Sequence, residues 1–390
     1  MNILFLLKSL DVGGVEVVTA VLANKFLSEG HRVCVFAFEE GSGMVRNRFS
    51  QHITMFIGQG FQMSDDNVEL LRTILTDNEV DVVINQWGLP LIPIRTLNKA
   101  RKGLKAKVIS VYHNDPLQNG RIQSVATEMV KTQGTIRRTM LRFKRFAFRC
   151  VTGYAMRYNY LHSDVFEVLS PSFVVHFQAF TKLGNTPKLV VQTNPVTIDT
   201  DGFAYQPEKK KKEIVFVGRL DYTQKRVHRV IETWAQLEHR FPDWRLTIVG
   251  DGDDRENLER MVKDLELRSV CFEGFQHPRP YYERANILVF TSEFEGFGLV
   301  LVEAMSFGVV PVAYGSYTAV YDIIKDGEDG FIIPKTAEGF NAALIAEKMA
   351  DIMATPEKMQ SMSLAAIEKS KNYSIEKIYE QWMEVITRLK

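Results

Sequence analysis

Residues 287–305 read Ile287-Leu288-Val289-Phe290-Thr291-Ser292-Glu293-Phe294-Glu295-Gly296-Phe297-Gly298-Leu299-Val300-Leu301-Val302-Glu303-Ala304-Met305. A four-residue apolar run marks a short buried strand, two glycines mark a turn, and the apolar run after Gly298 has the length of a helix. A strand that feeds a helix directly is half of a βαβ unit, whose strands lie parallel in one sheet. Outward from this stretch the alternation repeats in both directions. Strands are predicted at 213–217, 245–249, 270–272 and 309–313 on the same side of the chain, and at 3–7, 32–38, 80–84, 107–111, 165–169 and 189–192 on the other, where an amphipathic helix covers about 15–29. The expected class is α/β throughout, with two doubly wound parallel sheets.

A chain of 390 residues exceeds what one hydrophobic core usually supports. The break falls after Asn194-Pro195, in the polar stretch that ends in Lys209-Lys210-Lys211-Lys212. This predicts a Rossmann-like domain over 1–195, a linker over 196–212, a second Rossmann-like domain over 213–372 and a terminal helix over 373–390, with a cleft between the two sheets. The final helices, 356–371 and 374–390, can pack on either domain. No apolar run reaches the eighteen residues that span a bilayer, and the first strand is too short for a secretory signal. The expected compartment is therefore the cytoplasm. Cys34, Cys150 and Cys271 stand far apart without metal-ligand spacing and are expected to be small buried side chains.

Three features carry chemistry. Glu295 and Glu303 bracket Gly296 and Gly298, where a backbone without Cβ can approach a ligand and the following helix turns its first amides toward an anion. Alternatively, Glu295 only caps the helix and Glu303 is a surface residue. Second, Phe216-Val217-Gly218-Arg219-Leu220 is a strand end that releases a guanidinium, with Lys225 six residues on. Two such cations can neutralise a diphosphate, although Arg219 can equally form a surface ion pair with Asp221. Third, Ile248-Val249-Gly250-Asp251-Gly252 and Phe272-Glu273-Gly274-Phe275 repeat the strand-to-glycine pattern and suggest a wall cleared for a ligand. In the first half, Gly13 and Gly14 open the first helix without a complete dinucleotide or P-loop pattern. His113 follows a strand in Val111-Tyr112-His113-Asn114-Asp115-Pro116. Segments 56–67 and 114–135 are the expected selectivity loops.

Taken in order, Gly218-Arg219-Leu220, Lys225, Gly250-Asp251-Gly252, the Glu295/Glu303 pair and Asp329-Gly330-Phe331-Ile332-Ile333-Pro334 resemble glycosyltransferase family 4 on the GT-B fold. The resemblance implies a retaining, metal-independent enzyme with an acceptor-binding first domain and a nucleotide-sugar-binding second domain. By the same resemblance Arg219 and Lys225 bind the donor diphosphate, Glu295 and the amides of Phe297, Gly298 and Leu299 meet the sugar and phosphate, and Glu303 holds the ribose. Gly14 is similar to the glycine loop over the phosphates, and His113 to the histidine near the transferred sugar. Gly250 and Phe275 are expected beside the donor. The nucleotide sugar is a substrate, so no cofactor and no Mg²⁺ or Mn²⁺ is expected. A UDP-hexose or UDP-N-acetylhexosamine is the favoured donor and a glycan or lipid-linked glycan the acceptor, in cell-surface polysaccharide synthesis. A GDP-mannose-dependent mannosyltransferase and a non-catalytic nucleotide-sugar binder are the alternatives. Arg226 departs from the pattern, standing where the family usually has glycine.

The net charge of +1 hides an uneven distribution, because residues 101–150 hold twelve Lys/Arg and two Asp/Glu. Within 131–149, Lys131, Arg137, Arg138, Arg142, Lys144, Arg145 and Arg149 interleave with Ile136, Met140, Leu141, Phe143, Phe146, Ala147 and Phe148. Such a segment can lie on an anionic membrane, which would put the protein at the inner face of the plasma membrane. It can also be a solvated helix whose apolar face is core. A nucleic-acid partner is not expected, since no binding module is present.

Overall fold

The computed structural model describes residues 1–117 and 120–389. The chain forms two compact units, Met1–Thr197 with Ile375–Lys390, and Ile198–Ser374.

In the first unit the order is β1 (Asn2–Ser9), α1 (Gly14–Ser28), β2 (Arg32–Glu39), β3 (Thr54–Ile57), α2 (Asp65–Asp77), β4 (Val82–Asn85), α3 (Leu91–Ala100), β5 (Lys107–Tyr112), α4 (Gly120–Lys131), α5 (Thr135–His162), β6 (Val165–Val168), α6 (Ser172–Thr181) and β7 (Leu189–Val191). The second unit continues with β8 (Glu213–Val217), α7 (Val227–Ala235), β9 (Arg245–Val249), α8 (Arg255–Asp264), β10 (Val270–Gly274), α9 (Arg279–Arg284), β11 (Ile287–Phe290), α10 (Leu299–Ser306), β12 (Val310–Gly315), α11 (Ala319–Ile323), β13 (Phe331–Pro334), α12 (Ala342–Met353) and α13 (Pro356–Ser370). The chain then enters α14 (Ile375–Thr387), which belongs to the first unit.

The sheets run β3-β2-β1-β4-β5-β6-β7 and β10-β9-β8-β11-β12-β13, and every strand pair is parallel. Helices cover both faces of such a sheet, so its strands are buried on both sides and read as unbroken apolar runs. Leu4, Phe5, Leu6 and Leu7 of β1 and Ile287, Leu288, Val289 and Phe290 of β11 are all buried. The helices bury only a stripe. On α7 it is Val227, Val230, Ile231 and Trp234, spaced three and four apart, packed into a core with Ile214, Phe216 and Ile248. On α14 it is Ile378, Trp382, Val385 and Ile386, and this helix meets α1 where the Phe26 ring lies 5.2 Å from Tyr379.

In each sheet the strand order reverses once, between β1 and β4 and between β8 and β11. In open parallel sheets the loops leaving the carboxyl ends of the strands at such a reversal are the ligand-binding position.

Several expectations change. Strands β3 and β13 are additional, each only four residues and at a sheet edge. The expected linker is a folded part of the second unit from Ile198 onward. Its Lys210 is no solvated lysine, for Nζ donates to the carbonyls of Tyr282 (2.8 Å), Ala285 (3.0 Å) and Phe307 (2.7 Å), which end α9 and α10. Free carbonyls at helix ends need donors, and one ammonium supplies three. Cys34 is buried as expected, but Cys150 and Cys271 are exposed. The basic stretch 131–149 is divided between α4 and α5, and its apolar side chains are largely exposed instead of forming core.

Of the two expected selectivity loops, 114–135 is mostly helix α4, and its residues 118 and 119 lie outside the described residues, as does the Lys131 side chain. Segment 56–67 is pinned by the buried Asn67, which accepts from the Gln59 amide and donates to the carbonyls of Gly60 and Gln62.

Candidate functional site

The second unit's reversal point assembles the predicted cations and acid. Strand β8 ends at Val217, and Gly218-Arg219-Leu220 leaves its carboxyl end, while β11, paired directly with β8, leads into the segment that carries Glu295. Between β8 and α7 the chain makes a tight turn held by Asp221, whose Oδ1 accepts from the amides of Gln224 (2.6 Å) and Lys225 (3.4 Å). That turn aims Lys225 at the neighbouring strand end. Its Nζ meets Glu295 Oε1 at 2.5 Å, with side chains only 16% and 10% exposed, and lies 5.6 Å from the Phe290 ring centre.

Gln224, which the sequence reading did not single out, joins the cluster together. Its Nε2 donates to Glu295 Oε2 and to the Phe294 carbonyl, each at 3.3 Å, and its Oε1 accepts from Arg219 Nη2 at 3.3 Å. Arg219 therefore makes the Asp221 contact anticipated as the plainer reading, Nε to Oδ2 at 3.1 Å, and a link toward Lys225 and Glu295 as well. Its side chain is 67% exposed, so its outer donors face solvent. The sequence signal for Gln224 was faint: an aspartate three residues before a polar residue that adjoins the lysine.

Arg226, the departure from the family pattern, has φ +54° at the N-cap of α7. Glycine adopts that left-handed conformation freely, whereas arginine holds it here with its guanidinium 4.8 Å from the Tyr222 ring centre. The turn geometry is kept.

The β11–α10 turn is equally constrained. Gly298 caps α10 at φ +95°, and a Cβ there would lie 2.5 Å from Tyr317 Oη, which itself donates to the Phe297 carbonyl at 3.1 Å. Gly296 and Phe297 are buried, the latter against Tyr373, and Leu299 begins the helix. Glu303 is buried in the second turn of α10, beside the Tyr282 hydroxyl, whose pKa is raised well above its ordinary value by burial first and then by the Glu303 charge. The structure thus links Arg219, Lys225 and Glu295 through Gln224, and buries Glu303 beside Tyr282.

Gly250, one of the glycines of the expected wall, is required by packing between two loops. A Cβ on Gly250, φ +140°, would fall 1.9 Å from the Gly218 carbonyl oxygen, so this glycine lets the β8 and β9 loops touch. Phe275, by contrast, is 66% exposed just past the end of β10. The end of β9 also carries an Asp-x-Asp spacing, Asp251-Gly252-Asp253. Asp251 is engaged locally, accepting from the Gly252 amide at 2.8 Å and lying 3.7 Å from Arg255. Among the described residues no group of three or more His, Cys, Asp or Glu is arranged to hold a metal ion.

In the first unit, Gly13 is the N-cap and Gly14 the first residue of α1, at the reversal point between β1 and β4. Glu16, two residues on, is buried, and burial raises its carboxyl pKa to about 7. His113 follows β5, with Nε2 2.6 Å from Gln86 Oε1 at the end of the adjacent β4. Burial draws its pKa down to about 4, which leaves the ring neutral at pH 7. Beyond the predicted set, the fully buried Asp115 accepts from His176 Nδ1 at 2.9 Å, a pair that sequence separation concealed.

The pattern of the family described as Glycosyltransferase Family 4 matches residues 12–163, and that described as Glycosyl transferases group 1 matches residues 197–369. Over its full length the chain is 24% identical to a Campylobacter jejuni GalNAc-alpha-(1->4)-GalNAc-alpha-(1->3)-diNAcBac-PP-undecaprenol alpha-1,4-N-acetyl-D-galactosaminyltransferase, covering 99% of it. It is 32% identical to the Salmonella typhimurium lipopolysaccharide 1,6-galactosyltransferase over 35% of this chain and 39% of that one. Among solved structures it is similar to Anabaena HepE in complex with UDP, with a TM-score of 0.76, 18% identity and all of both chains covered. With both halves matched in order and the whole fold shared, the chain belongs to glycosyltransferase family 4, on the GT-B fold.

Proposed function

We propose that this glycosyltransferase moves a sugar from a UDP-sugar to a glycan or lipid-linked glycan acceptor, with retention of anomeric configuration and without a metal ion. The observation that carries the reading is the Lys225–Glu295–Gln224–Arg219 cluster at the reversal point between β8 and β11. Support for the donor comes from HepE, solved with UDP, and support for an N-acetylhexosamine and a lipid-linked acceptor from the name of the Campylobacter relative.

In this reading the diphosphate lies against Arg219 and Lys225. As the bond from the anomeric carbon to the β-phosphate oxygen breaks, its electron pair passes to that oxygen, and both cations are already aimed at the growing charge. The acceptor hydroxyl attacks from the same face and gives its proton to the departing phosphate oxygen. Lys225 has three donors, so it can hold a phosphate oxygen while keeping Glu295, whose free lone pairs accept from the donor sugar's hydroxyls. Glu303 takes the ribose hydroxyls.

The test is a melting-temperature series with UDP and GDP, followed by donor turnover with and without EDTA. A ligand at a hundred times its dissociation constant stabilises by about 2.7 kcal/mol. UDP is expected to raise the melting temperature, EDTA to leave turnover within twofold, and the product to keep the donor's anomeric configuration. A shift with GDP alone would replace the donor base, binding without turnover would make the protein a nucleotide-sugar binder, and no shift with either would overturn the reading.

A further inference from the structure

Helix α5 carries seven Arg/Lys and no Asp/Glu over 28 residues. Its second half is seated in the first unit by the buried Thr152, Ala155, Met156, Asn159 and Tyr160, and Asn159 Nδ2 donates to the Leu89 carbonyl at 3.0 Å. Its first half is different, since Leu141 is its one buried residue. There Ile136 is 81%, Met140 67%, Phe143 74% and Phe146 63% exposed. Ile136, Met140, Phe143, Val151, Tyr154 and Leu161 are exposed and fall at spacings that return to one face of the helix. At about 100° per residue, Arg137 and Lys144 border that face on one side, and Arg142 and Arg149 lie beyond Phe146 on the other.

We propose that this face of α5 docks the first unit on an anionic lipid bilayer surface, apolar side chains inserted among the headgroups and cations against the lipid phosphates. The charge pattern selects this occupant. A second copy of the chain would bring the same cations together with no acid on either helix to offset them. A nucleic acid offers the cations phosphates, but leaves Ile136, Met140, Val151 and Leu161 without apolar partners. An amphipathic helix of this composition instead lies in the interfacial plane, its apolar face about 5–10 Å deep. Arg137 is paired with Glu128 at 3.3 Å, an exposed contact that lipid phosphate can replace.

Flotation of the full chain with vesicles of phosphatidylcholine alone or with one quarter phosphatidylglycerol tests this, and it reads lipid only, so it stands apart from the transfer reaction. Co-flotation with the anionic vesicles is expected at 0.1 M NaCl, with a large loss at 0.5 M, where the Debye length is roughly halved. Arg142→Gln with Lys144→Gln should lower the partition about 25-fold, since each cation near the surface contributes about fivefold. Ile136→Ser with Phe143→Ser should lower it at least about tenfold. Both substitute exposed positions, and unchanged circular dichroism and UDP binding confirm the fold. Equal partition on neutral vesicles, no partition at low salt, tighter retention on duplex DNA than on anionic vesicles, or a dimer in sedimentation that Ile136→Ser with Phe143→Ser dissociates would each overturn the proposal.

Discussion

Replacing Lys225 by methionine separates the lysine's chemistry from its place in the fold. Lys225 and Glu295 meet at 2.5 Å with side chains 16% and 10% exposed. Removing the cation strands a carboxylate that keeps, among the described residues, only the Gln224 amide at 3.3 Å as a side-chain donor. Breaking a buried pair from one side costs about 3–5 kcal/mol, and the residual exposure of both groups places this case near 3 kcal/mol. For a unit of this size that corresponds to a fall in melting temperature of about 6–12 °C.

Lys225→Met with Glu295→Gln removes the stranded charge and should recover most of that loss. Turnover should not recover, because the departing diphosphate still lacks a fixed cation, an omission that typically costs about 10²–10³ in rate. Calorimetric melts and initial rates at saturating UDP-sugar, on both single variants and the double, complete the cycle. Turnover that returns together with the melting temperature in the double variant would refute the argument, since Lys225 would then act only by holding Glu295 and the turn. An unchanged melting temperature in Lys225→Met would refute it from the other side, showing that the pair contributes nothing to the unit.

Lys210→Met should destabilise the second unit by about 3 kcal/mol or more in urea melts, because three carbonyls lose a charged donor at once; a loss below about 1 kcal/mol would mean that water replaces the ammonium freely. Glu167 in β6 is fully buried, neither carboxylate oxygen has a hydrogen-bond partner among the described residues, and burial raises its pKa well above the ordinary 4.5. Its contribution is complete below pH 4.5 and drains away as pH rises toward the folded-state pKa, at up to about 1.4 kcal/mol per pH unit. Glu167→Gln lacks this slope, so its stability relative to the parent should grow between pH 4.5 and 7, and a constant difference across that range would exclude the linkage.

The sequence determined what depends on near neighbours. Apolar runs of four to eight residues, punctuated by glycine and alternating with helical stripes, specify parallel βα units, and β1, β8 and β11 lie where those runs place them. Arg219, Lys225 and Glu295 were legible because each follows a strand end, and strand ends meet at a reversal of strand order. Contacts between residues far apart in the chain were not legible. Gln224 reaches Glu295 across 71 positions, Lys210 reaches Phe307 across 97, and Asp115 finds His176 across 61. Composition did not decide exposure either: a lysine in a run of four is part-buried beneath three carbonyls, and of the two readings open for the apolar stripe of α5 the exposed one holds. A residue's spacing fixes which side of its own element it occupies, but whether that side meets protein or solvent is decided by the elements packed beside it, which only the tertiary structure assembles.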